Sequence, residues 1–126
     1  TYMANIRKDL SQVTLYQAAR FPVADVYLTQ FFHSRSTVNT PTGVTNFSHC
    51  AVADQEIDAA RSETDPAKQK ALWKSAQEKI VKEVCAVPFS EQLVMWAWKD
   101  SLDLGYEMKG SLNLMPQLTE KTRFRK

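Results

Sequence analysis

The chain has 126 residues, 44% of them hydrophobic and 24% charged, the composition of one ordinary globular domain with its own core rather than of a disordered segment. Sixteen Lys and Arg against fourteen Asp and Glu leave a net charge of +2, too small and too evenly spread to imply nucleic acid or an anionic surface as partner. No apolar run approaches the roughly 20 residues that a membrane-spanning helix needs, in keeping with a mean hydropathy of −0.38.

Tyr2, Met3 and Ile6 recur at helical spacing over residues 2–8, which read as the end of a helix. In residues 12–18, Val13, Leu15 and Gln17 alternate with Thr14, Tyr16 and Ala18, the period of a strand. Pro22 ends it, because proline lacks the ladder donor and turns the residue before it away from helix. Val23, Val26, Tyr27, Gln30 and Phe31 then recur with helical periodicity and predict a short amphipathic helix over residues 23–33. Residues 34–47, rich in Ser, Thr, Asn, Pro and Gly, read as one loop of functional length.

Ser48 is the expected N-cap of a helix reaching about Ser62, with Val52, Ala59 and Ala60 inward and Asp54, Glu56, Asp58 and Arg61 outward. Asp65 followed by Pro66 opens the clearest element, a helix with Leu72, Trp73, Ala76, Ile80, Val81 and Val84 on one stripe and lysines opposite. The β-branched and aromatic run of residues 92–98, with Trp96 and Trp98 on one face, predicts a second strand. Beyond Leu102 the chain offers little core and is expected to be extended and only partly ordered.

Catalytic patterns are missing from the sequence. The two histidines, His33 and His49, belong to no metal-binding or triad motif, and His49 cannot serve an adjacent Cys50 on one helix because neighbouring side chains diverge by about 100°. The three glycines are too scattered for a phosphate loop. No enzyme activity, cofactor or metal is therefore expected. Cys50 and Cys85 fit no zinc spacing and read first as two small buried side chains. Asn46-Phe47-Ser48 has the form of a glycosylation sequon, expected to be coincidental. Trp96 and Trp98 could stack a ligand, but core packing is the commoner fate of such a pair. Arg20, Phe21 and Asp25 stand where strand gives way to helix, a place where α/β proteins meet ligands. On residue types alone a surface ion pair accounts for them better.

Leu15 to Arg20, Ala24-Asp25-Val26-Tyr27, Phe31-Phe32-His33-Ser34, Asn46-Phe47-Ser48, the run Ile57 to Leu72 and Val87-Pro88-Phe89, in that order, resemble the C-terminal part of extracellular solute-binding proteins of the peptide/nickel/opine class (solute-binding protein family 5). Residues 64–72 with the helix after them are the most specific part, and residues 102–106 and 112–114 also look like such a tail. The resemblance implies an α/β fold, α+β as an excised piece. It would be the C-terminal fragment of a two-lobed periplasmic binding protein, mostly second-lobe helices packed on a few strands. Residues 1–100 would belong to the second lobe and 101–126 to a tail crossing toward the first. The implied function is capture of peptides or similar small solutes by lobe closure for an ABC importer, whose ATPase supplies the energy. The implied location is the bacterial periplasm, exported or lipid-anchored, an oxidising compartment that keeps a Cys50–Cys85 bridge open.

Expected partners are the solute, the membrane permease and the remainder of the same polypeptide, without nucleic acid; an excised piece would self-associate through unpaired edges. Many members of the family carry a Gly-Trp pair and an acid after the first strand, where this chain has Ala18-Ala19-Arg20-Phe21-Pro22. By that comparison the ligand-binding residues are Arg20, Phe21 and Asp25. Phe21 would replace the aromatic wall, and Arg20 would attract an anionic group. The alternative is a free-standing helical interaction module that recruits a partner through Trp73, Trp96 and Trp98.

Overall fold

A computed structural model describes residues 1–19, 23–43, 45–91, 95–107 and 116–125, in two compact units, Thr1–Pro88 and Phe89–Lys126. Among its described residues the first unit holds helices α1 (Tyr2–Ile6), α2 (Ala24–Phe32), α3 (Asp54–Ser62) and α4 (Pro66–Lys82), with a turn of 3-10 helix at Ser34–Ser36.

The core of this unit lies where α2, α3 and α4 meet. Leu28, Cys50, Ala53, Ile57, Ala76 and Ile80 are buried together, and Ala24, Phe32, Trp73 and Cys85 pack against them. Alanines at 53, 60 and 76 let α3 and α4 approach closely, and Ile57 fills the space they leave with no exposure at all. Burial of that one side chain is worth about 2–3 kcal/mol. Ile57 and Ala53, not Val52 and Ala59, are the inward residues beside Ala60: Val52 is exposed, as is Ala59.

Helix α4 begins as its sequence dictates. The Asp65 carboxylate accepts from the Ala67 and Lys68 amides at 2.8 and 3.0 Å, with Pro66 in the first turn. Its far end departs from the expected stripe, for Val81 and Val84 are both exposed. The Cys85 amide donates to Ile80 and the Val84 amide to Val81, each at 3.1 Å, closing the helix with the paired bonds of a Schellman motif. That motif needs a left-handed residue, and Val84 supplies it at φ 52°. A β-branched residue there is strained.

Cys50 and Cys85 form a disulfide with Cα atoms 5.7 Å apart. The expectation of two separate buried thiols is thereby corrected. The long α3–α4 hairpin brings the two positions together within the core, which their separation in sequence conceals.

Helix α3 starts five residues later than expected, with Ala53 rather than Ser48 at the N-cap position. Ser48 instead donates to Oδ1 of Asn46, and His49 has a left-handed φ of 55° that interrupts any helix. Asn46 organises this corner while fully buried. Its Nδ2 donates to the carbonyls of His33 and Cys50 at 3.0 and 2.8 Å, and its Oδ1 accepts from the Cys50 amide at 3.1 Å. The sequon is thus closed to modification in the folded chain. Loop 34–47 is compact: a parallel bridge joins Thr37 and Asn46, and a Cβ at Gly43 would stand 1.5 Å from the Thr37 carbonyl oxygen.

Residues 12–19 carry no regular secondary structure, so the expected strand is not formed. Val13 and Leu15 are exposed, while Tyr16 on the opposite parity is half-buried. The alternation is real, but a strand requires a neighbour to complete its ladder.

In the second unit, β1 (Leu102–Asp103) and β2 (Arg123–Phe124) pair antiparallel, Leu102 opposite Phe124. Asp103 accepts from the Gly105 amide at 2.9 Å and pairs with Arg123 at 3.3 Å. Gly105 is obligatory, at φ 75° with Lys121 against its missing Cβ. Leu104, among the few residues of the tail expected to be buried, is 5% exposed beside this small ribbon; residues 108–115 lie outside the described residues. Trp96 and Trp98 are exposed at 37% and 44%, not packed as core. Of the expected strand 92–98, residues 92–94 lie outside the described residues, as do Leu112 and Leu114, and residues 95–98 have no regular structure.

Candidate ligand-binding site

An aromatic cluster ties residues 12–19 to α2, and an ion pair stands at the head of that helix. The Tyr16 ring stands 5.7 Å from Phe31 and 5.1 Å from Phe47, in tilted geometries that aromatic rings prefer. This fixes residues 12–19 against α2 and the end of loop 34–47. The Tyr2 hydroxyl donates to the Leu15 carbonyl and holds the same segment from α1. Helix α2 then opens at Val23, whose side chain cannot cap the first amides.

Asp25 lies in the first turn of α2, where a carboxylate is favoured by the helix dipole. Its Oδ1 accepts from the Thr29 hydroxyl one turn on at 2.6 Å and forms an ion pair with Arg61, on α3, whose Nε stands 3.1 Å away. Both partners of the ion pair remain part-exposed, at 37% and 41%. Arg20 and Phe21, the other two residues singled out, lie outside the described residues.

A second polar cluster closes the other end of α2. His33, only 8% exposed in its side chain, accepts from the Arg35 amide at Nδ1, 3.1 Å away, which leaves the ring proton on Nε2 facing Asp58 at 3.3 Å. Asp54 accepts from the Ser34 amide at 3.0 Å and from its hydroxyl. Ser34 and His33 adjoin, yet the serine hydroxyl donates to Asp54 and the ring nitrogen is taken by Arg35. The pair is thus engaged in holding the 3-10 turn on α3, not in activating a nucleophile. His49, the other histidine, pairs with Asp9 at 2.8 Å beside the disulfide-bonded Cys50. Among the described residues no group of three His, Cys, Asp or Glu is placed to hold a metal ion.

Across the helical hairpin, Glu56 and Lys79 pair at 2.6 Å. The lysine hydrogen bond lowers the Glu56 pKa below the ordinary value and outweighs the opposing cost of burial. All four α3 residues expected to face outward therefore serve other elements: Asp54 and Asp58 the 3-10 turn, Arg61 helix α2, Glu56 helix α4. Sequence periodicity marks that face as polar. It holds no signal for which helix lies against each side chain.

In the second unit, an open depression of about 320 Å³ is lined by Gly105, Tyr106, Gln117, Thr119, Glu120 and Lys121. The Tyr106 hydroxyl bridges both backbone groups of Gln117 and shapes its floor. It is shallow and lacks the enclosing apolar walls of a ligand pocket.

No protein-family model and no curated protein matches the chain. Among solved structures, it is 58% identical to the PBP/SBP MoaA from A. tumefaciens R10, solved in complex with mannopinic acid, with a TM-score of 0.83. The likeness covers 98% of this chain and 25% of that one. The fold is therefore the α/β fold of one part of a periplasmic solute-binding protein, helices with a small sheet, and the chain spans about a quarter of the length of the protein it matches.

Proposed function

We propose that this chain is part of a periplasmic solute-binding protein that captures a mannopinic-acid-like opine and delivers it to an ABC permease. The observation that carries the reading is the 58% identity over 98% of the chain with a protein solved in complex with mannopinic acid. The ligand is an acid, and the sequence entering α2 fits an anion. Arg20 offers a guanidinium of the fork geometry that suits carboxylates, in place of the tryptophan and acid that suit a peptide amine in related proteins. Phe21 supplies an apolar wall for the carbon chain. The first amides of α2, uncapped by Val23, add partial positive charge at the same end of the helix. Opines thus fit this junction better than ordinary peptides do.

Capture follows by closure of two lobes around the solute, of which this chain contributes to the second, residues 1–100, and a tail, residues 101–126. The exposed apolar side chains support a larger whole. Val13, Leu15, Met95, Trp96 and Trp98 are open to solvent at positions where neighbouring strands of a complete receptor would cover them. The rest of the polypeptide, the permease and the bacterial periplasm are accordingly the proposed partners and location, and the disulfide supports an oxidising compartment.

The test is calorimetric titration of the native gene product carrying these residues with mannopinic acid. One-to-one saturable binding, joined to a product several-fold heavier than the 14.4 kDa of this chain, is expected. A heavier product that binds no mannopinic acid at millimolar concentration would sink the ligand class. A product of 14.4 kDa would favour a free-standing helical module recruiting a partner through Trp73, Trp96 and Trp98.

A further inference from the structure

We propose that His33 is an acid-operated latch: proton uptake at Nδ1 turns the ring from the Arg35 amide to the Asp54 carboxylate, uncapping the 3-10 turn at Ser34–Ser36 and tying it to α3 by charge instead. The device does not depend on which solute the protein carries.

The geometry leaves the ring one place to accept a proton. Nδ1 accepts from the Arg35 amide at 3.1 Å and so caps the turn, which puts the hydrogen of the neutral ring on Nε2, facing Oδ2 of Asp58 at 3.3 Å. In an imidazolium both nitrogens are donors. A proton arriving from solvent takes the Nδ1 lone pair, and the Arg35 N–H then points at another N–H. That hydrogen bond is lost. Oδ1 of Asp54 stands 3.7 Å from Nδ1, beyond hydrogen-bond length but within a small rotation of the ring. The new N–H donates there, and the amide of the exposed Arg35 turns to water.

The charges around the ring favour this exchange. Helix α3 brings the two carboxylates of Asp54 and Asp58 against the single guanidinium of Arg35, which itself pairs with Asp58 at 3.5 Å. Other charges on the neighbouring helices are engaged with each other, Arg61 with Asp25 and Glu56 with Lys79. The last two turns of α2 and the loop from Ser36 to Phe47 contain no charged residue. Movement at the ring is felt on several sides, because the His33 carbonyl accepts from the Asn46 side chain and from the Ser36 amide, each at 3.0 Å, and the Ser36 carbonyl accepts from the amides of Thr45 and Asn46. Histidine is the side chain suited to such a joint, since its charge changes between neutral and mildly acidic surroundings. The competing account is a buried ring that braces the turn and stays neutral for as long as the protein is folded.

The experiment follows the native gene product, labelled with 15N in histidine and arginine, by NMR from pH 8 to pH 5, together with its His33→Asn and Asp54→Asn variants. At pH 8 the His33 ring should carry its hydrogen on Nε2 alone. On acidification Nδ1 should gain a proton, the Arg35 amide resonance should move with the same midpoint, and the protection of that amide against exchange should fall about fivefold, the effect of one lost side-chain cap. His49, half-exposed in its pair with Asp9, is the internal control, and its titration should leave Arg35 unmoved. In His33→Asn, whose oxygen can cap the turn but takes up no proton, Arg35 should stay protected throughout; in Asp54→Asn its response should move to lower pH. A ring with its hydrogen on Nδ1 at pH 8, a ring that stays neutral to pH 5, or an Arg35 amide that does not follow the ring overturns the proposal, and these readings of the unmutated protein decide it even if a variant fails to fold. A full pH response of Arg35 in His33→Asn, or an unaltered one in Asp54→Asn, overturns it as well.

Discussion

Reducing the Cys50–Cys85 disulfide should lower the melting temperature of the chain by about 20 °C. The bridge joins positions 35 residues apart, and in the chain-entropy account closing a loop of that length removes about 13 cal/mol/K from the unfolded ensemble, or about 4 kcal/mol at 25 °C. The bridge belongs to the Thr1–Pro88 unit. At about 2.1 cal/mol/K of unfolding entropy per residue, that unit loses about 20 °C when 4 kcal/mol is withdrawn. Little native-state compensation is available. Cys50 is 4% exposed within the core cluster and the half-buried Cys85 packs against it, so two thiols at the same positions would be crowded. The loss would also release Cys85, whose amide closes α4, so fraying should begin at the strained Val84 turn. Far-UV circular dichroism melts of the oxidised chain, of the chain under a phosphine reductant, and of the Cys50→Ala/Cys85→Ala variant measure the effect. Reduced and doubly substituted forms should agree within a few degrees. A reduced chain that melts within about 3 °C of the oxidised one would refute the reasoning, since either the bridge would not form or the unfolded chain would gain nothing from its removal.

Other consequences are open to the same kind of measurement. Val84→Gly should raise the melting temperature by several degrees, because the left-handed conformation costs a β-branched residue about 1–2 kcal/mol, more than the added freedom of an unfolded glycine; a lower melting temperature would show that Val84 is not strained. Asn46→Ala should destabilise by about 3 kcal/mol, leaving buried backbone groups of His33 and Cys50 unpaired, and denaturant titration would expose a smaller loss. Because the folded pKa of Glu56 is lowered, its contribution is fully present above the ordinary glutamate value of 4.5 and fades as pH falls through the lowered one. The partly exposed Lys79 limits it to about 1 kcal/mol or less; Lys79→Met should flatten that acid limb, and an unchanged limb would assign it elsewhere. The isolated 126 residues should bind no mannopinic acid at millimolar concentration and should self-associate in light scattering through their uncovered apolar side chains.

What could be read from the sequence follows the range of the physics involved. The start and middle of helix α4 are legible because their signals are local: an aspartate cap, a first-turn proline and a stripe that holds as far as Ile80, beyond which Val81 and Val84 are exposed. The start of α3 is not, because Asn46 and the left-handed His49 redirect the chain through bonds that only the folded corner provides. The alternation in residues 12–18 sets which side chains face inward but not a strand, since pairing depends on a neighbour that no local pattern supplies. The candidate site divides in the same way. Its acid, Asp25, is visible from its position at the head of a helix, but its ion-pair partner, Arg61, is a residue that sequence periodicity assigns to solvent. A carboxylate tied to a guanidinium and a hydroxyl differs in kind from the same carboxylate left open: the first tolerates an anion nearby and the second invites a cation. Which charge the head of α2 presents thus depends on a contact between two helices, and a motif read along one of them carries no sign of it.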